Sequence, residues 1–356
     1  MLIGKIQLWM TDVLSNGSSS NTLPVMNTIF LVSILLIPAF FSVLRLAPRF
    51  RWLSVSLSFA IISSLRPEVG MDFEAYARVA NQDNSFVDLM FWYREPLSAG
   101  FVRVGQLVSL ELMLFMFAFC YALGIFVPLL FLSKKSFLLY FFALYCLPMG
   151  FMFSFDGIRQ AGAVGLLMLF LASGSRTLVL VVICAHLSAL FVLAIFYFAK
   201  IKQKITIGVL IGLMMSIAAL YLELFFGLIW KYNSTGASNF GGKSILLLGC
   251  IGLLAALLPK IITLKNGAHT ASNLVMYGRY SGAILAGSSL AYFAPNMLVV
   301  RFLYFFVPLS LFCICSTIEN SYLRGPLRAC FFIAICGIAV LYWSNAGPHV
   351  VESVFG

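Results

Sequence analysis

Long apolar runs recur along the whole chain, and the short segments between them carry most of its charge. A helix needs about 20 consecutive apolar residues to cross a bilayer, and most of these runs approach that length. The sequence therefore predicts an all-α polytopic integral membrane protein with about ten transmembrane helices. The predicted spans are 23–44, 52–65, 111–132, 136–153, 177–199, 205–230, 244–264, 277–294, 297–318 and 327–343.

The composition agrees with this interpretation. The chain is 62% hydrophobic and 10% charged, whereas a soluble domain is about half apolar and a quarter charged. Ten crossings leave no room for a separate soluble domain, which excludes Rossmann, P-loop and nucleic-acid-binding modules. We therefore divide the chain into a flexible or interfacial extension at 1–22 and a single transmembrane domain at 23–356.

We interpret the net charge of +11 as a sign of how the chain is oriented in the membrane, because Lys and Arg concentrate in cytoplasmic loops. When crossings are counted from either end of the chain, every basic cluster falls on the inner side only if the short apolar segment 158–173 does not cross the membrane. We expect a re-entrant or short helix there, with both ends outside, and a true crossing is the alternative. The clusters lie at 45–51, 134–135, 200–204, 260–265 and 324–328.

This topology leaves one long outward loop at 66–106, which is rich in acidic and aromatic residues. Aromatic side chains have apolar surface to bury, so we expect the loop to be ordered. Aromatic rings beside carboxylates suit sugars, and an interfacial aromatic belt is the alternative interpretation.

Two acidic positions in this loop are candidates for chemistry. Asp72 and Tyr76 are four residues apart, on one face of a predicted helix, shortly after Arg66. The Asp72 carboxylate is either a general base or a helix cap. Glu95 precedes Pro96 at the electropositive start of another predicted helix, where it is either a functional carboxylate or a cap.

Three further ionisable residues lie in or beside apolar segments, where such residues are functional candidates by default. Arg159 is followed by Gln160 and by small residues that allow a ligand to approach, and the geometry of a guanidinium matches that of phosphate oxygens. The alternative is that Asp156 pairs with Arg159 and simply neutralises its charge. His186 lies near the middle of the span 177–199, as a ligand contact or a hydrogen-bonded core histidine. Arg301 lies one turn into a late span.

No metal or cofactor is expected. The eight cysteines form no Cys-x-x-Cys pair, and the three histidines are far apart in sequence with no second ligand at metal spacing.

The order of these motifs resembles the EpsG-like family of bacterial polysaccharide polymerases, and within it the O-antigen polymerases called Wzy. The resemblance is clearest over residues 25–200. The residues on which the resemblance rests are Arg66, Gly70, Asp72, Tyr76, Glu95-Pro96, Arg159-Gln160, His186-Leu187-Ser188-Ala189 and, in a late span, Arg301.

The resemblance implies a multi-pass enzyme of the bacterial inner membrane whose active site faces the periplasm, so that 66–106 is a periplasmic loop and 23–356 a polymerase domain. Its substrates would be undecaprenyl-diphosphate-linked oligosaccharides, and membrane lipids and a chain-length regulator protein would be its other partners. Asp72, His186 and Glu95 would be catalytic, and Arg66, Tyr76, Arg159, Gln160 and Arg301 would bind substrate. A flippase of the same lipid and an O-antigen ligase are the alternative functions.

Overall fold

The computed structural model describes residues 22–65, 73–146, 157–186, 188–202, 205–226, 241–262, 272–289, 303 and 305–338. Every regular element within these ranges is helical, which confirms the all-α prediction. In chain order the helices are α1 (Thr22–Val43), α2 (Pro48–Ser64), α3 (Phe73–Ala80), α4 (Phe86–Tyr93), α5 (Pro96–Leu107), α6 (Leu110–Ile125), a 3-10 turn (Val127–Leu130), α7 (Lys134–Cys146), α8 (Ile158–Ser173), α9 (Arg176–Ala185), α10 (Ser188–Lys202), α11 (Ile205–Phe226), α12 (Gly241–Ile261), α13 (Ser272–Ser289), α14 (Val307–Asn320) and α15 (324–338).

Within the part of the chain that the model describes, no helix reaches both the length and the hydropathy of a membrane span.

Helices α6 and α8 approach each other closely enough for their backbones to touch. A side chain on Gly165 of α8 would overlap the backbone of Cys120 and Tyr121 in α6, and one on Gly124 would overlap Gly165. Gly162 also faces α6, toward Phe117. The small residues of α8 were expected to admit a ligand, and this expectation is wrong because α6 covers them.

The segment 158–173 is one continuous helix of 16 residues, about 24 Å long. It begins after Gly157 and ends at Gly174, whose φ of 68° closes the helix in the left-handed conformation. Most of its residues are buried, and it packs against α6, α9 and α13. The location of both its ends on the outer side stays a prediction.

The described part of the predicted loop 66–106 consists of three short helices, α3 to α5. They pack with α6 around a small apolar cluster that includes Tyr76, Leu89, Phe117 and Ile158, the first residue of α8. This cluster brings the start of α8 to the three short helices.

Helix α4 begins with a capping box between Ser85 and Asp88. The Ser85 hydroxyl and backbone N–H both donate to the Asp88 carboxylate, which lowers the pKa of that carboxyl below its ordinary value. The cap fixes where α4 begins, and therefore where its last residue, Tyr93, lies.

The prediction of a single helix over 177–199 is wrong, because the helix is interrupted within this segment. Helix α9 ends at Ala185, His186 has an extended backbone (φ −159°, ψ 130°), and α10 begins at Ser188. An apolar run reveals the helix period but gives no sign of this break, which side-chain hydrogen bonds at His186 stabilise.

The C-terminal half is built on α13, which packs against α11, α12 and α14. Gly252 of α12 and Gly282 of α13 face each other so closely that a side chain on either would meet the other helix's backbone. Helix α8 also contacts α13, so the two halves share one large apolar core.

We expect Gly165→Ala to lower the free energy of unfolding by about 3 kcal/mol, because the new methyl group overlaps backbone atoms that cannot rotate away. Gly100→Ala is the matched control, since nothing lies within 4 Å of the added carbon. In the interior of α5 it should stabilise the protein by roughly 0.5–1 kcal/mol. Denaturant titration of both purified variants measures the difference, and equal stability would contradict the backbone contact.

Candidate functional site

Glu95 lies in a two-residue link between α4 and α5. Arg94 has a φ of 55°, the only positive φ of a non-glycine residue among those described, and Glu95 is extended. Glu95 occupies the N-cap position of α5 but makes no capping hydrogen bond with its side chain, and it is only 5% exposed. The capping interpretation is therefore wrong for Glu95, whose carboxylate points into the protein.

The buried carboxylate forms an ion pair with Arg159. The Oε2 atom of Glu95 accepts a hydrogen bond of 3.0 Å from Nη1 of Arg159, in the first turn of α8. A cation is unfavourable at a helix N-terminus, because the macrodipole is positive there. The Glu95 carboxylate offsets this cost from 64 positions away in sequence. Asp156, the predicted neutralising partner, lies outside the described residues.

Two tyrosines complete the surroundings of the guanidinium. Its Cζ atom lies 4.7 Å from the centre of the Tyr93 ring, a cation–π distance, and the Tyr76 hydroxyl interacts electrostatically with Arg159. Burial raises the pKa of Tyr93, so its phenol stays neutral at physiological pH. The Nε atom of Arg159 is buried and makes no hydrogen bond with the rest of the described protein.

His186 lies on the other side of Glu95. Its Nδ1 atom is 3.7 Å from Oε1 of Glu95, 2.7 Å from the Ser188 hydroxyl and 3.2 Å from the Ser188 backbone nitrogen. The break between α9 and α10 is held against α5 by Ser98, whose buried hydroxyl donates a 2.8 Å hydrogen bond to the Ala185 carbonyl. Glu95 and Ser98, one turn apart on α5, thus both contact this junction.

The structure therefore brings together four of the residues selected from sequence, Tyr76, Glu95, Arg159 and His186. Gln160 is buried next to Arg159 in α8. The other three, Arg66, Asp72 and Arg301, lie outside the described residues.

Sequence reasoning missed Tyr93, Ser98 and Ser188 as members of the site. Each lies within or beside a selected motif. Tyr93 is two residues before Glu95, Ser98 is three residues after Glu95, and Ser188 is two residues after His186. What the motifs lacked was any sign that these side chains face the same point.

The arrangement is suited to holding a guanidinium at a fixed orientation while part of it stays accessible. The Arg159 side chain is 28% exposed, against 6% for Glu95 and 24% for His186. Because Glu95 cancels the charge of Arg159, the pair offers oriented N–H donors to an anion and little net charge. Among the residues described, no group of three or more His, Cys, Asp and Glu side chains could hold a metal ion.

Comparison with models of protein families identifies a match. The model of the EpsG family matches residues 49–349, a range that includes all the site residues named above. No curated protein and no solved structure matches the chain significantly.

We expect Glu95→Gln to destabilise the protein by roughly 1–3 kcal/mol, because it leaves the Arg159 charge without its partner at a helix N-terminus. Asp83→Asn is the control. It removes an ion pair with Arg103 among the described residues, but Asp83 is 99% exposed, so its loss should leave stability nearly unchanged. Denaturant titration compares the two, and an equal effect would show that the buried pair is not structural.

Proposed function

The chain belongs to the EpsG family of polysaccharide polymerase-like membrane proteins, and we propose that it is a glycosyltransferase that polymerises oligosaccharide repeats linked to undecaprenyl diphosphate. In this reaction the growing chain leaves its lipid carrier and is joined to the non-reducing end of a new lipid-linked repeat. The product is an O-antigen or a similar surface polysaccharide.

The observation that carries this proposal is the partly exposed Arg159 guanidinium, held in place by Glu95 and two tyrosines. Breaking the bond between the sugar C1 and the diphosphate oxygen leaves negative charge on the diphosphate. Donors already oriented toward that charge stabilise the transition state without reorganisation. The two Nη atoms of Arg159 carry N–H groups that Glu95 does not use, and these would bind a diphosphate oxygen.

A diphosphate also requires net positive charge, which the neutralised Arg159–Glu95 pair does not supply. We assign this role to Arg66 and Arg301, with Gln160 as an uncharged contact. The attacking acceptor hydroxyl loses its proton as its oxygen bonds to C1. We assign that proton to Asp72, because a carboxylate is ionised at neutral pH without any change in pKa.

We further propose that the protein lies in the bacterial inner membrane, crosses it several times and acts at the periplasmic face. Exposed apolar side chains support this, since soluble proteins rarely expose contiguous apolar surface. Leu53, Leu57 and Ile61 recur at four-residue spacing on α2, and all three are exposed, as are Leu36 and Phe40 on α1. Membrane lipids would cover these faces, and a chain-length regulator protein is the further partner proposed.

Deletion of the gene followed by electrophoresis of surface polysaccharide tests the function. Loss of a polymerase leaves the lipid core capped with a single repeat, and we expect this result. Bare core would instead indicate a flippase or an O-antigen ligase, the two alternative functions, and an unchanged ladder would exclude all three. Restoration of the ladder by the wild-type gene is the control for effects on neighbouring genes.

Replacing the proposed base should remove polymer without removing the protein. We expect Asp72→Asn to lower polymer synthesis by about 100-fold to 10,000-fold, the usual contribution of a positioned general base. Glu74→Gln, an exposed carboxylate of the same segment, is the matched control and should make a normal ladder. His186→Gln should leave a shortened ladder. Normal polymer from Asp72→Asn at equal membrane abundance would contradict the assignment.

A further inference from the structure

Ser188, the first residue of α10, directs two groups at a single atom of His186. Its hydroxyl oxygen lies 2.7 Å from Nδ1 and its backbone nitrogen 3.2 Å from the same atom. Both distances are within hydrogen-bonding range.

The backbone N–H of Ser188 determines where the imidazole proton lies. An N–H group can only donate, so Nδ1 must accept with its lone pair. A proton on Nδ1 would face the Ser188 N–H directly. The ring is therefore neutral in this arrangement, with its proton on Nε2, and the Ser188 hydroxyl donates to Nδ1 as well.

Glu95 would by itself favour the opposite tautomer, because a carboxylate attracts a proton onto the ring nitrogen nearest to it. Its Oε1 atom is 3.7 Å from Nδ1, too far for a hydrogen bond, and its Oε2 atom is bound to Arg159. The Ser188 hydroxyl can donate or accept, so it does not choose between the tautomers. The Ser188 backbone nitrogen, which can only donate, is closer to Nδ1 than Oε1 is by 0.5 Å, the difference between 3.7 and 3.2 Å. Ser188 therefore outweighs Glu95 in setting the tautomer.

The backbone around His186 is held so that this geometry persists. Ser98 binds the Ala185 carbonyl at 2.8 Å from α5, and the His186 carbonyl accepts the Ala189 N–H at 3.0 Å. The ring is attached to a junction that is anchored on both sides, by α5 and by the first turn of α10.

We propose that Ser188 is a positioning residue, which holds His186 as the Nε2–H tautomer so that this nitrogen donates a hydrogen bond to the diphosphate oxygen of the lipid-linked donor. The inference rests on the proposed glycosyl transfer. It also excludes His186 as the base for the acceptor hydroxyl in this state, because Nε2 carries a proton and the Nδ1 lone pair is directed at Ser188.

Nitrogen-15 NMR of the full-length protein, labelled at histidine and embedded in lipid nanodiscs, tests the tautomer directly. The His186 signals are assigned by their loss in His186→Gln. In the wild type we expect a protonated Nε2 and an unprotonated Nδ1. Ser188→Pro, which removes the backbone N–H at the first position of α10, where proline is accepted, should move the proton toward Nδ1. Ser188→Ala, which keeps that N–H, should leave the proton on Nε2.

Polymer synthesis by the same variants tests the role in the reaction. We expect Ser188→Pro to lower the rate roughly 10-fold, the effect of losing one hydrogen bond of about 1.4 kcal/mol, and Ser188→Ala, the matched control, to keep most of the rate.

Each outcome bears on the proposal separately from the function. A wild-type proton on Nδ1, or His186 signals that do not change in Ser188→Pro, would overturn the tautomer assignment whatever the enzyme makes. A shifted tautomer with an unchanged rate would overturn the role of Nε2 as a donor. Failure of the proposed function would appear instead as an unchanged ladder on gene deletion, with the NMR result unaffected.

Discussion

The ion pair between Glu95 and Arg159 is the interaction on which the site depends. Removing two charges from water costs several kcal/mol for each ion, and their attraction repays this only when the geometry is good and further hydrogen bonds are present. The pair meets these conditions at the starts of two helices, α5 and α8. Tyr76 and Tyr93, from α3 and α4, bind the same guanidinium. Four helices must therefore be in place before the pair is stable.

The glycine contact between α6 and α8 gives the pair its position. Because no side chain separates the two backbones at Gly165, α8 lies directly on α6. Helix α5 packs on the same helix α6, so the first turns of α5 and α8 are brought to one place. Helix α5 then extends the arrangement through Ser98 to the end of α9, where His186 lies. A backbone contact inside the core thus controls the distance between a carboxylate and an imidazole at the site.

The local patterns were reliable where the physical cause was local. The helical class follows from apolar runs, and the start of α5 follows from Pro96. They were unreliable where a distant partner decides the outcome. Glu95 follows the pattern of a helix cap, yet Arg159 takes its carboxylate. The run 177–199 has the composition of one helix, yet it is broken at His186. The glycines after Gln160 indicated space for a ligand, which α6 fills.

By itself, the sequence determined the all-helical class, the family and the identity of Tyr76, Glu95, Arg159 and His186 as candidates, because residue type and the spacing of apolar residues are properties of short segments. Only the tertiary structure decided that these four side chains meet, that Glu95 pairs with Arg159, and that Ser98 and Ser188 fix His186. The reason is physical: the Glu95–Arg159 pair and the Ser98 contact join residues 64 and 87 positions apart, whose distances helix packing sets. The contact of Ser188 with His186 is local, but it exists only because the helix breaks between α9 and α10.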